Sequence, residues 1–145
     1  MDPATISAGA SVLSTYLRTY EFINEGSEEE KVAQSVNDAV KKFVFFYEDS
    51  HWDDLHGKKV RRSYQKHINK EANGFREIAV KADGVLDDET VKKLREISAD
   101  LENIAMDNLK VKGAGQIGGK KVGLILEEEL EDSYELSKEV VESLE

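Results

Sequence analysis

Residues 27–47 read SEEEKVAQSVNDAVKKFVFFY, and their pattern indicates the fold class of the chain. Ser27, followed three residues later by Glu30, forms a capping box, which typically begins a helix. Apolar side chains then recur at steps of three and four, the spacing of one helix face: Val32, Val36, Ala39, Phe43 and Tyr47. The stretch therefore predicts an amphipathic helix with one buried face.

Four further segments of the chain repeat this spacing. The first of them begins at Asp2 and Pro3, a capping side chain followed by proline at the first helical position. Gly26 and Gly84 follow the first and third segments, where glycine suits a left-handed helix end. Asp87 precedes the fourth segment as its cap. These signals predict five helices joined by short connections.

The connections and the composition together predict a bundle. Pro3 is the only proline, so no interior proline interrupts a helix. Short connections make consecutive helices antiparallel neighbours. We therefore predict an all-α fold, an up-and-down bundle of four to five helices, in a single domain over residues 1–145. Small side chains in the first helix predict close contact with another helix, within the bundle or at a dimer face: Ala4, Ser7, Ala8, Gly9, Ala10, Ser11 and Ser14.

A glycine-rich hairpin between the last two helices is an alternative for part of the chain. Residues 109–112 and 120–124 alternate between apolar and polar side chains, and Gly118 and Gly119 lie between them. Alternation around two glycines is typical of a hairpin. We keep a small hairpin, appended to the bundle, as an expectation beside a plain connection.

The chain is acidic. Its 20 lysines and arginines against 30 aspartates and glutamates give a formal net charge of -10 over 145 residues. Such a charge repels nucleic acid and anionic membranes and favours partners with basic faces. The absence of cysteine excludes disulfides and cysteine nucleophiles. Because no apolar stretch reaches the length of a membrane span and no signal-peptide pattern is visible, we expect a cytoplasmic protein.

Residues 113–118 match the G-x-G-x-x-G string of dinucleotide-binding sites. Such glycines approach a pyrophosphate at a turn between a parallel strand and a helix, whereas the residues before this string have a helical pattern. Residues 118–120 also resemble part of a phosphate loop, but Lys121 stands where serine or threonine would bind magnesium. We therefore predict a connection between helices and no cofactor.

Histidine and carboxylate side chains gather at residues 48–56. Glu48 with His51, and Asp53 with His56, have the acid-x-x-His spacing found in di-iron bundles. A di-metal core needs such pairs on separate helices, whereas these two pairs are neighbours in sequence. A metal-dependent enzyme at 48–56 is therefore the second alternative, and we expect a solvated turn without a metal.

Residues 58–70 carry six cations and no acid. Four of these cations are spaced by four and line one side of the predicted helix; this candidate interaction surface is the basic ridge: Lys58, Arg62, Lys66 and Lys70. Residues 127–135, the acidic run, carry six anions and no cation. The two runs either face each other across the bundle or stay separately solvated.

No catalytic constellation is visible, since there is no Gly-x-Ser-x-Gly elbow and no histidine with an evident partner. We therefore predict a non-enzymatic protein-interaction module, such as an adaptor, an inhibitor or another accessory protein, whose partner is another protein or a second copy of the chain. The alternative is a nucleic-acid-binding protein that uses residues 58–70, helped by cations around the glycines: Lys110, Lys112, Lys120 and Lys121. The net charge disfavours this alternative.

Overall fold

The computed structural model describes residues 1–24, 26–50, 58–108, 116–117 and 120–144. Five helices make up most of this part of the chain: α1 Pro3–Asn24, α2 Glu28–Asp49, α3 Lys58–Ala82, α4 Asp88–Asn108 and α5 Val122–Glu142. The predicted all-α bundle of about five helices is confirmed. No described helix is both long enough and apolar enough to cross a membrane.

Two short strands precede α5. They are β1 Gln116–Ile117 and β2 Lys120–Lys121, which pair antiparallel with Gln116 opposite Lys121. Because α5 already begins at Val122, strand β2 is shorter than the alternating pattern over residues 120–124 suggests. The first arm of the predicted hairpin, 109–112, and its two turn glycines lie outside the described residues, so the glycine-rich hairpin stays a prediction.

Three helix starts are capped as the sequence predicts. The backbone amide three residues further on donates to a side-chain oxygen of Asp2 at 2.8 Å, of Ser27 at 3.3 Å and of Asp87 at 2.8 Å. The pKa of Asp2 is held below its ordinary value by hydrogen bonds from the backbone and side chain of Thr5. The pKa of Asp87 is lowered by hydrogen bonds from the side chain and backbone of Thr90, because such bonds stabilise the charged carboxylate. At the connections, Gly26 and Gly84 adopt positive φ angles of 72° and 81°, which glycine reaches without strain.

Four of the helices form a ring in the order α2, α3, α4 and α5, and α5 packs against α2 to close it. The remaining helix, α1, packs against α2 and α5. Lys93 and Asp100 of α4 contact Glu139 and Glu129 of α5 respectively, so these two helices are antiparallel. In such a ring the α2–α3 pair and the α4–α5 pair lie on opposite sides.

One apolar core receives buried side chains from all five helices. Predicted stripe positions such as Val36 and Phe43 are fully buried. Phe43 of α2 meets Phe75 of α3 edge to face, with ring centroids 6.4 Å apart. Burying one such side chain contributes about 1.5–3 kcal/mol, so helix packing rather than helix propensity holds the bundle together.

Asn37 of α2 is a fully buried polar residue inside this core, and its hydrogen bonds connect α2 to two other helices. Its amide nitrogen donates to the Ala10 carbonyl and to Ser14 Oγ of α1, both at 2.9 Å. Its amide oxygen accepts a hydrogen bond from Ser137 Oγ of α5 at 3.1 Å. One side chain thereby fixes the register of three helices, since any sliding would leave buried polar groups without partners.

Gly9 of α1 lies directly against Tyr134 of α5. A Cβ atom built at this position would overlap the hydroxyl oxygen of Tyr134 and lie 2.5 Å from its ring carbon Cζ. Tyr134 is itself buried against the core. The small side chains of α1 therefore serve contact within the bundle at this point, which is one of the two uses that the sequence suggests.

Candidate interaction surface

The basic ridge lies on α3, as the sequence predicts. Arg62, Lys66 and Lys70 are all exposed. Lys58 is the first residue of the same helix, and its side chain lies outside the described part. Because the positions repeat every four residues, successive members of the ridge rise by about 6 Å along the helix.

The ridge borders an open groove between α2 and α3, which we name the α2–α3 groove. The groove has a volume of about 710 Å³, within the range of about 300–1,000 Å³ that is usual for ligand sites. Buried Ala39 and Ile78 lie at its base. Exposed charged side chains surround them: Asp38, Lys42, Lys66, Lys70, Glu77 and Lys81.

Charges in the α2–α3 groove are mixed, with lysine in excess. Four lysines line it, against the three carboxylates of Asp38, Glu71 and Glu77. Burial raises the pKa of Glu71, and the nearby charges of Lys70 and Lys42 oppose that rise. The groove is therefore a locally cationic surface on a chain of net charge -10.

Sequence reasoning found the basic ridge but missed Lys42 and Lys81. Lys81 lies about three helical turns beyond Lys70 and so shares its face, which the periodicity of α3 could have shown. Lys42 belongs to α2, and only the packing of α2 on α3 brings it to the groove.

Gly74 occupies the middle of α3 and lines the α2–α3 groove. A Cβ atom at this position would meet nothing within 4 Å. Packing therefore does not require glycine here, although glycine destabilises a helix by about 1 kcal/mol relative to alanine. The missing side chain leaves the groove deeper and exposes helical backbone to whatever occupies it.

The acidic run is spread around α5. Glu127 accepts a hydrogen bond from the Tyr47 hydroxyl of α2 at 3.2 Å, and Glu131 pairs with the amino terminus of Met1 at 3.2 Å. Among the described side chains, no ion pair joins Arg62, Lys66 or Lys70 to this run. In the described part of the chain, these three cations of the basic ridge are therefore not paired with the acidic run.

Three members of the acidic run line a second cavity, between α4 and α5, which we name the acidic cleft. Its volume is about 280 Å³, and its charged lining combines one lysine with six carboxylates: Lys93, Glu96, Asp100, Glu129, Asp132, Glu135 and Glu139. Lys93 Nζ lies 3.1 Å from Glu139 Oε2, and Glu135 pairs with Lys138 at 3.4 Å. The cleft therefore remains strongly negative after these pairs are formed.

Glu129 is the most perturbed carboxyl group of the acidic cleft. Burial, the neighbouring charge of Asp100 and a hydrogen bond with Asp100 raise its pKa to about 8. Burial and the charge of Glu131 also raise the pKa of Asp132. Burial and the nearby negative charge of Asp100 both disfavour the ionised form of Glu129, so this side chain is mainly protonated at neutral pH.

Two motifs of the sequence fall mainly outside the described residues. The residues of the metal alternative, His51, Asp53 and His56, lie outside the described part of the chain. The glycines of the G-x-G-x-x-G string lie outside it as well. Within the described ranges, no group of three or more histidine, aspartate or glutamate side chains is arranged to hold a metal ion.

The comparisons with known proteins are negative. No protein family matches the chain, no curated protein matches it, and no solved structure matches it. The geometry of the chain itself is therefore the basis for a function.

Proposed function

We propose that the protein is a non-enzymatic interaction module that binds an acidic segment of a partner protein in the α2–α3 groove. One observation carries the proposal. A row of exposed lysines borders an open groove on a chain whose net charge is strongly negative. A net negative charge alone keeps anionic partners away, so a local row of cations is the place where an acidic segment is attracted.

The lysines of the groove are available for a partner. In the part of the chain that the structure describes, no carboxylate lies within ion-pairing distance of Lys42, Lys66, Lys70 or Lys81. One exposed ion pair contributes only about 0–1 kcal/mol. Binding through the groove therefore needs several such pairs together, with apolar contact at Ala39 and Ile78.

The mixed charge favours a protein segment over nucleic acid. Asp38, Glu71 and Glu77 stand between the lysines, and a continuous line of phosphates would approach these carboxylates as well. A helical partner can instead place acids at every fourth position, with the same rise of about 6 Å that separates Lys66 from Lys70. It can also place lysine or arginine opposite the carboxylates of the groove.

Fluorescence anisotropy with a labelled, amphipathic helical peptide that carries glutamate at every fourth position tests the proposal. We expect binding at about 50 mM salt that weakens steeply towards about 200 mM salt. The variant Lys66→Glu/Lys70→Glu should bind at least about tenfold more weakly, since two attractions become repulsions. The matched control is Lys92→Glu/Arg95→Glu, which makes the same charge change at exposed positions of α4.

Two results would overturn the proposal. One is no binding of the peptide at low salt, and the other is equal loss in the groove variant and the α4 control. A single-stranded DNA of about 20 nucleotides serves as the competing probe. Tighter binding of DNA than of the peptide, lost in the groove variant, would favour the nucleic-acid alternative instead.

A further inference from the structure

We propose that a second copy of the chain is a partner for the α2–α3 groove, and that the acidic cleft of one copy docks there, so that the protein self-associates head to tail. This inference rests on the proposed function for the use of the groove, and it adds the identity of the occupant. Its evidence is the placement of two oppositely charged surfaces on one molecule.

The two surfaces lie on opposite sides of the helix ring. The α2–α3 groove is formed by α2 and α3, and the acidic cleft by α4 and α5, so the two share no helix. Neither surface can therefore reach the other within one chain. Contact between them in a pair of molecules uses two different patches, and it leaves one groove and one cleft free at the ends.

The charges of the two surfaces are complementary. The groove offers four lysines against three carboxylates, whereas the cleft offers six carboxylates against one lysine. Asp132 and Glu96 of the cleft are exposed, and Lys66 and Lys70 of the groove are exposed as well. Two helices, α5 with its acids and α3 with its lysines, can thus face each other in neighbouring molecules.

The spacing of the charges supports the same arrangement. Asp132, Glu135 and Glu139 succeed each other at three and four residues along α5, which corresponds to rises of about 4.5 and 6 Å. The basic ridge rises by about 6 Å per step along α3. Several cations of one copy can therefore meet several anions of the next in a single register.

Net charge shapes the salt dependence of this contact. Two molecules of charge -10 repel each other at long range when salt is low. At about 0.1 M salt the screening length is about 10 Å, which suppresses the long-range repulsion but leaves close ion pairs intact. At about 1 M salt the screening length is about 3 Å, and the ion pairs weaken too. Association should therefore be strongest at intermediate salt.

Light scattering and sedimentation on two complementary charge-reversal variants test the proposal. The groove variant is Lys66→Glu/Lys70→Glu, and the cleft variant is Glu96→Lys/Asp132→Lys. At about 0.1 M salt, where long-range repulsion is screened, the native protein should grow in mass with concentration above 16.3 kDa. Each variant alone should associate far less than the native protein. The groove variant presents two negative surfaces, and the cleft variant keeps only four carboxylates against three lysines in its cleft, so little attraction to its own groove remains.

An equal mixture of the two variants should form a complex of twice the monomer mass, because the unaltered cleft of one meets the unaltered groove of the other. Circular dichroism of each variant confirms that it is folded. The proposal is wrong if the native protein stays monomeric at every salt concentration, or if the mixture does not associate. Peptide binding by the groove of a strictly monomeric protein would reject self-docking alone, whereas loss of peptide binding as well would reject the proposed function.

Discussion

Replacing Glu129 by glutamine should change how the stability of the bundle depends on pH. Glu129 is partly buried beside Asp100, and the pKa of this carboxyl is raised from 4.5 to about 8 by burial and by Asp100. Folding therefore favours the protonated form of the side chain. The variant Glu129→Gln keeps the shape and polarity of that form and removes the titration.

The sign follows from proton uptake. Between pH 4.5 and about 8 the folded protein retains a proton on Glu129 that the unfolded chain has released. Stability therefore falls as pH rises through this window. Burial raises the pKa of Asp132 and Glu71 too, which adds to the fall in the same direction.

The magnitude has an upper bound. Moving a carboxyl pKa from 4.5 to about 8 corresponds to about 5 kcal/mol at about 1.4 kcal/mol per pH unit. Because Glu129 is partly exposed, solvent screening reduces the expected effect to about 1–2 kcal/mol. Glu129→Gln should therefore stabilise the protein by about this amount at pH near 9 and by much less at pH near 5.

Urea unfolding followed by circular dichroism, at several pH values across that window, measures this effect. The matched control is Glu142→Gln, an exposed position on the same helix, which should leave the pH dependence of the native protein in place. A Glu129→Gln variant whose stability declines with pH as steeply as that of the native protein would refute the reasoning. So would a variant that is less stable than the native protein above pH 8.

Three further substitutions test the fold. Asn37→Ala should lower the free energy of unfolding by about 2–3 kcal/mol, since it leaves buried polar groups of three helices without partners. The control Asn73→Ala, at an exposed position, should change it by less than about 0.5 kcal/mol. Urea unfolding measures both effects. Gly9→Ala should lower the melting temperature, despite alanine's higher helix propensity, because the Cβ of the new alanine meets Tyr134. A higher melting temperature would show that α1 and α5 do not approach so closely. Gly74→Ala should raise stability by about 0.5–1 kcal/mol while weakening binding of the acidic peptide, and unchanged binding would show that the groove is not occupied at this point.

Much of the fold is predictable from sequence because the helices are long, periodic and capped. The stripe is buried from Val32 to Phe43, and Ser27 and Asp87 cap the helices that they were expected to cap. Asn37 and Ser137 were missed as core residues, because a polar side chain is accepted in a core only when a partner on another helix is present. Periodicity within one helix contains no information about that partner.

The candidate site is predictable only in part, for the same reason. The basic ridge follows from spacing along one helix, so Arg62, Lys66 and Lys70 were found. Lys42 joins them through the packing of α2 on α3, which sequence spacing does not specify. The acidic run reads as one block, yet Glu127, Glu129 and Glu131 face α2, α4 and the amino terminus respectively, because successive residues of a helix point in different directions.

Titration of isotope-labelled protein with the acidic helical peptide, followed by amide chemical shifts, tests most directly whether the α2–α3 groove is the binding surface. We expect progressive shifts confined to residues 35–42 of α2 and 66–81 of α3, and their loss in the Lys66→Glu/Lys70→Glu variant. Two results would contradict the assignment of this groove as the interaction surface. One is a set of shifts centred on α1, α4 or α5. The other is the absence of shifts at peptide concentrations near 1 mM, where even weak binding of about 4 kcal/mol becomes visible.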